Sequence, residues 1–208
     1  MWCALAALLL TAAISGWWGL TRQGLTTWDE GVYFDEARFV IQTAGAVRRH
    51  TSIADATTGF APRMGRPGNT ALNVVAMAVL GCHPWAPAAL AALFGLACIY
   101  CTYCLGRRVF GEGTGLLAGT LLALSPYFLQ YRRLGLPEAA GTFAAVLVLL
   151  RLVALRGRDE QRPWLNSLTL GLLLGAGFTI NMRLGVLLPV AALHAGLVER
   201  AMPLAGGQ

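Results

Sequence analysis

The chain has 208 residues, 56% of them apolar and 12% charged, with a mean hydropathy of +0.59, a balance that excludes a soluble globular domain and requires an integral membrane protein. Its formal charge of +6 comes from 16 basic and 10 acidic side chains, and every basic one is arginine. These arginines are dispersed between apolar runs instead of forming a dense face with interleaved aromatics, which excludes nucleic acid as a partner and fits membrane topology and lipid phosphate, a good match for the guanidinium fork.

The first apolar run covers about residues 1 to 20 and ends in Trp17 and Trp18. It has no basic residue ahead of its core, so it reads as an anchor and not as a cleaved signal peptide. The long polar segment Thr21 to Gly68 follows, opening on TTWDEGVYFDEARF. Helical from Trp28, this stretch sets Trp28, Val32 and Phe39 on one side with Asp29 and Glu36 close to the same apolar face, while Glu30, Asp35 and Arg38 turn away. An amphipathic helix on the membrane surface is expected. Thr27-Trp-Asp-Glu30 is a capping box, which accounts for Glu30, partly for Asp29, and not at all for Glu36.

A run of about thirteen residues, Asn69 to Gly81, is too short to cross a bilayer and reads as interfacial or re-entrant. Five longer runs follow at about 84 to 105, 114 to 131, 136 to 155, 164 to 181 and 184 to 198. With the first they predict an all-α, polytopic transmembrane helix bundle of about six spans forming one domain over 1–208, with 21–68 as its first loop. Cys98, Cys101 and Cys104 repeat every three residues within one run, where small, weakly polar side chains are ordinary helix packing and not a metal or redox site. Cys3 and Cys82 have no evident partner. His50, His83 and His194 lack any paired ligand spacing.

Arg107, Arg108, Arg156, Arg158, Arg162 and Arg200 fall on one side of the predicted bundle, against Arg132, Arg133 and Arg183 in the turns opposite. That bias makes the first side cytoplasmic. Thr21–Gly68, the Arg132/Arg133 turn and the Asn181–Arg183 turn then share the extracytoplasmic face, where one acidic and two basic patches can form one site. Pro137 and Glu138 are ordinary helix-start residues, but arginines on the disfavoured side call for an anion, and Arg133 or Arg132 is placed to hold one. Arg183 interrupts an apolar stretch, so it is either a turn marker or an intramembrane ligand.

These residues resemble the polyprenyl-phosphate-sugar dependent membrane glycosyltransferases of the GT-C fold, similar to glycosyltransferase family 39, the group that includes protein mannosyltransferases and aminoarabinose transferases. The likeness rests on Trp28-Asp29-Glu30, on Arg66-Pro67-Gly68-Asn69 before the short helix, on Leu105-Gly-Arg-Arg-Val-Phe-Gly111, and on Leu124-Ser-Pro126 followed by Arg133 and Leu136-Pro-Glu138. The resemblance implies an inverting transferase in a bacterial inner membrane. Asp29 would activate an acceptor hydroxyl, Glu30 would support it, and Arg133, with Arg132 and Arg183, would hold the lipid phosphate. Glu36, Arg66 and Glu138 are supporting candidates. The phosphate can instead be met by a divalent cation, with Asp29 and Glu30 as its ligands, and the sequence leaves that choice open. Implied partners are membrane lipids, a polyprenyl-phosphate-linked sugar and an acceptor glycan, lipid or protein.

Two departures stand out. Arg66-Pro-Gly-Asn69 lacks the family's second proline and the aromatic after it. Relatives also continue through further spans, whereas this chain ends soon after its sixth run in Ala201–Gln208, which reads as an interrupted loop and makes it the amino-terminal part of an enzyme. The rival reading is a non-catalytic or truncated membrane protein, a scaffold or a carrier of lipid-linked intermediates. Single cysteines placed at Asp55 and Gly157 should be labelled by a membrane-impermeant reagent from opposite sides; labelling of both from one side would overturn the orientation.

Overall fold

The computed structural model describes residues 2–53, 65–155 and 163–193. Arg156, Arg158, Arg162, Arg200, His194, the Ala201–Gln208 tail and the two labelling positions lie outside these residues. The described chain is helical throughout and contains no strand, as the apolar runs require: a bilayer core offers no water to backbone N–H and C=O groups, and a helix satisfies them internally. Helices α1 (Trp2–Trp17), α2 (Trp28–Arg49), α3 (Pro67–Leu80), α4 (Trp85–Phe110), α5 (Glu112–Leu124), α6 (Pro126–Tyr131), α7 (Pro137–Leu155) and α8 (Pro163–Ile180) follow in order. Short 3-10 turns lie at Leu20–Arg22 and Met182–Val186, and residues 187–193 return to α-helix.

Three stretches are long and apolar enough to span a membrane: Trp2–Arg22, Trp85–Phe110 and Pro137–Ala154. The other expected spans are shorter or broken. The run from 114 to 131 divides at Ser125, whose extended backbone separates α5 from α6; Pro126 supplies no N–H and restricts the residue before it, so the helix cannot pass through. The final run starts as the 3-10 turn, with Asn181 Oδ1 accepting from the Arg183 N–H at 3.2 Å. Asn69–Gly81 proves to be the body of α3, opened by Pro67 in its first turn, where a missing N–H costs nothing.

Helix α4 is the centre of the bundle, packing on α5 and α7 most extensively and also on α1 and α3. Its buried face is mostly small, with Ala86, Ala88, Ala89, Ala91, Ala92, Gly95 and Cys98 beside Pro87, Ile99 and Tyr103. Such a face lets helix backbones approach closely, so dispersion replaces the hydrophobic drive that lipid cannot supply. Cys98 belongs to a core cluster with Ala12, Ile99, Ala123 and Phe128, and all five cysteines are unpaired, in line with a packing role for the cysteine row. The α4–α5 hairpin turns at Gly111, whose φ of +98° suits glycine, and closes on Gly115, where a Cβ would stand 2.6 Å from the Tyr103 carbonyl oxygen.

Gly115→Ala should therefore push α5 off α4 and cost about 1–3 kcal/mol, read as a lower unfolding midpoint in detergent. Gly113→Ala, where a Cβ meets nothing within 4 Å, should leave the midpoint unchanged or slightly raised.

Candidate active site

Thr27 caps α2, its side chain accepting from the Glu30 N–H at 3.2 Å. The return half of the expected capping box takes a different course. Glu30 is only 3% exposed; its Oε2 accepts from the Thr26 N–H at 2.9 Å and from Thr26 Oγ1 at 3.0 Å, and its Oε1 accepts from the Gly135 N–H at 2.9 Å. Buried carboxylates need this many donors to offset lost hydration. The expected facing of α2 is accordingly corrected. Glu30 turns inward with Phe34 and Ala37, while Trp28 is 73% exposed and Asp29 is also exposed. Apolar periodicity registers neither the two donors of Thr26 nor the one waiting on the Gly135 turn more than a hundred residues away. Glu36 does point inward, 1% exposed, with Oε2 accepting from Thr70 Oγ1 at 2.8 Å.

A second group forms where α3 begins. Gly68 lies so close to the end of α8 that a Cβ would stand 2.7 Å from the Ile180 N, which brings Arg66 next to the Asn181–Arg183 turn and the start of α7. Arg66 Nη1 is 3.6 Å, and Arg183 Nη1 3.8 Å, from the same Glu138 Oε1. The Arg66 guanidinium also lies 5.7 Å from the centre of the Tyr33 ring, at the outer edge of a cation–π contact. Burial raises the Tyr33 pKa; Arg66 acts the other way, and Asp29, Glu138 and Glu36 add to the rise. Tyr33 and Thr70 are site members that sequence reasoning missed, although Tyr33 stands one helical turn from Asp29, a spacing that carries the signal.

The α6–α7 turn supplies the third group, and it divides two neighbouring arginines. Arg132 is 1% exposed, donating from Nη1 to the Ala12 carbonyl at 2.9 Å and from Nη2 to Ser15 Oγ at 2.6 Å. It is thus closed to direct contact with a ligand. Burial, and after it the nearby Arg133, depress its pKa, though guanidinium remains charged at any relevant pH. Arg133 is half-buried, donates from Nη2 to the Trp18 carbonyl at 2.9 Å, and lines a cavity of about 540 Å³ with Ser15, Gln23, Thr26, Leu129, Gln130 and Leu134. That volume suits a small polar headgroup.

The three polar patches do meet at one end of the bundle, through Glu30–Gly135, Arg133–Trp18 and Arg66–Glu138–Arg183. Arg107, Glu112 and Trp2 gather at the opposite end, Arg107 Nε lying 3.4 Å from Glu112 Oε1 and its guanidinium 5.9 Å from the Trp2 ring. Asp29 and Glu30 do not converge on a point, and among the described residues no three His, Cys, Asp or Glu side chains are grouped to hold a metal.

Among known protein families, the model described as dolichyl-phosphate-mannose-protein mannosyltransferase matches residues 67–203. The match takes in Arg132, Arg133, Glu138 and Arg183 and begins after Asp29, Glu30, Glu36 and Arg66. No curated protein and no solved structure gave a significant match.

Glu30→Gln would turn an amide NH₂ toward donors or leave one of them unmet, a loss of about 1–3 kcal/mol. The midpoint of thermal unfolding should fall clearly. Glu36→Gln should lower it less, because the Thr70 hydroxyl can rotate to suit an amide oxygen; equal effects would contradict the distinct role given to Glu30.

Proposed function

The chain belongs to the dolichyl-phosphate-mannose-protein mannosyltransferase family, membrane glycosyltransferases that use a polyprenyl-phosphate sugar donor, and from that premise we propose that it transfers a sugar to an acceptor hydroxyl on the extracytoplasmic side of the membrane, with inversion. Asp29 is the base. The acceptor oxygen attacks the anomeric carbon from the face opposite the phosphate, its proton passing to the Asp29 carboxylate. The bond between that carbon and the phosphate oxygen breaks, and the polyprenyl phosphate leaves with the electron pair.

What supports the reading is that the exposed carboxylate of Asp29 directly precedes Glu30, whose own carboxylate is bonded to Thr26 on the wall of the cavity that Arg133 lines. Glu30 is a positioning residue, tying the first turn of α2 to the turn that carries Arg133. The donor phosphate lies in the cavity against Arg133, with the side-chain amides of Gln23 and Gln130 as neutral donors beside it; the Ser15 and Thr26 hydroxyls already donate to Thr11 and Glu30. Arg183 joins Arg66 on Glu138 and, with Tyr33, forms a polar wall toward the acceptor. The exposed Trp17, Trp18, Tyr127 and Tyr131 form an interfacial belt at the height of a lipid headgroup.

Asp29→Asn removes basicity at nearly constant volume. Turnover with a lipid-linked sugar should drop by about 100- to 10,000-fold, with yield and membrane insertion unchanged because the residue is exposed. A variant that keeps its activity would remove Asp29 from the chemistry, whereas native protein without turnover would favour the scaffold or carrier reading.

A further inference from the structure

Arg132 has a place built for it and no counterion in that place. Its side chain passes between two glycines: a Cβ on Gly95 would stand 2.7 Å from Arg132 Cβ, and one on Gly16 would stand 3.6 Å from Nη1. Its Nε is buried without a hydrogen-bond partner. Among the described residues no carboxylate lies within 4 Å of it, whereas Arg66 and Arg183 share Glu138 and Arg107 has Glu112. Taking a cation out of water without an opposite charge costs several kcal/mol, and an apolar side chain would fill the slot without that cost. The charge itself therefore needs a reason.

The reason lies one hydrogen bond away. Ser15, which accepts from Arg132 Nη2, also lines the cavity on which Arg133 opens, and no acidic side chain lines it. The groups around Arg132 from the other elements are Ala12, Ser15 and Gly16 on α1 and Gly95 on α4, none of which carries charge. Two positive charges thus act on one cavity, Arg133 at its wall and Arg132 behind Ser15, against one carboxylate, Glu30, held behind Thr26.

The proposed reaction changes the charge of what would sit there. A sugar–phosphate–lipid donor is a phosphodiester with one negative charge; the leaving polyprenyl phosphate is a monoester carrying about −1.5 to −2 at neutral pH. We propose that Arg132 is a positioning residue, acting through Ser15 and its own uncompensated charge, that makes the cavity favour the phosphate monoester dianion over the diester monoanion. Arg133 meets the charge present throughout, and Arg132 meets the charge that grows as the sugar–oxygen bond breaks, where stabilisation lowers the barrier. This rests on the cavity being the phosphate site.

The test is equilibrium binding at neutral pH of farnesyl phosphate, its methyl ester and farnesol to the purified full chain. The native protein should prefer the monoester over the methyl ester by about tenfold or more, the scale of one added charge at a protein's effective dielectric. Arg132→Met should lose that preference while keeping its affinity for the methyl ester, and Arg132→Lys should restore most of it; Arg133→Gln should weaken both anions. In turnover, Arg132→Met should lower kcat and leave the donor KM near its original value. Full preference in Arg132→Met, or an Arg132→Lys variant no better than Met, overturns the proposal while the phosphate site stands. If Arg132→Met does not fold, Ser15→Ala decides, a reduced preference supporting the proposal and an unchanged one overturning it. Native protein that binds farnesyl phosphate no better than farnesol removes the cavity as a phosphate site altogether.

Discussion

The buried carboxylate of Glu30 is the contact on which the arrangement of this end of the molecule depends. Three donors converge on it, two from Thr26 and one from the backbone of Gly135, so it joins the loop ahead of α2 to the turn between α6 and α7. Gly135 has to be close for this: a Cβ there would stand 2.7 Å from Pro87 Cβ and 3.6 Å from Glu30 Cγ. Through this bond α2, which lies outside the three long spans, takes its place relative to α4, α7 and the arginine turn. Asp29 directly precedes Glu30 and Tyr33 lies about one helical turn along, while Glu36, about two turns along, has its own anchor in Thr70.

Charge is partitioned around that contact. Toward α3 and α8 the cations are matched by carboxylates, with Arg66 and Arg183 on Glu138 and with Asp29 and Glu36 nearby. Toward α1, Arg132 behind and Arg133 at the cavity wall form no ion pair among the described residues, and the nearest carboxylate described is Glu30 behind Thr26. A membrane enzyme moving a sugar from a phosphate to a hydroxyl needs both characters within a short distance: an acidic region to take a proton and a basic region to receive growing negative charge. Close helix packing makes the separation durable, because small residues along α4 leave the surrounding helices little room to shift.

Much of this was legible in the chain itself. Apolar run length announced a helical membrane bundle, Pro137 marked a helix start, and Thr27 marked a cap. The meeting of three polar patches at one end followed from alternating runs and the positions of Arg132, Arg133 and Arg183. The errors were of orientation. Trp28 and Asp29 were assigned inward and Glu30 outward because a helical wheel counts apolar side chains, whereas here a carboxylate is buried by two donors of Thr26 and one of Gly135. Arg132 and Arg133 read as equivalent, since neighbouring identical residues carry no signal of which one a helix will enclose.

By itself the sequence determined what the solvent is and hence what the backbone must do: with so many apolar residues in long runs, only helices satisfy every N–H and C=O, and breaks must fall at prolines and polar turns. Tertiary structure alone decided which polar side chain faces which. Glu30 meets Gly135, Arg132 enters the slot between Gly16 and Gly95, and Arg66 reaches Glu138 because Gly68 abuts α8. Each of these pairings joins residues far apart in the chain, and each depends on the absence of a single methyl group at the point of closest approach, a property of two surfaces together that neither segment expresses alone.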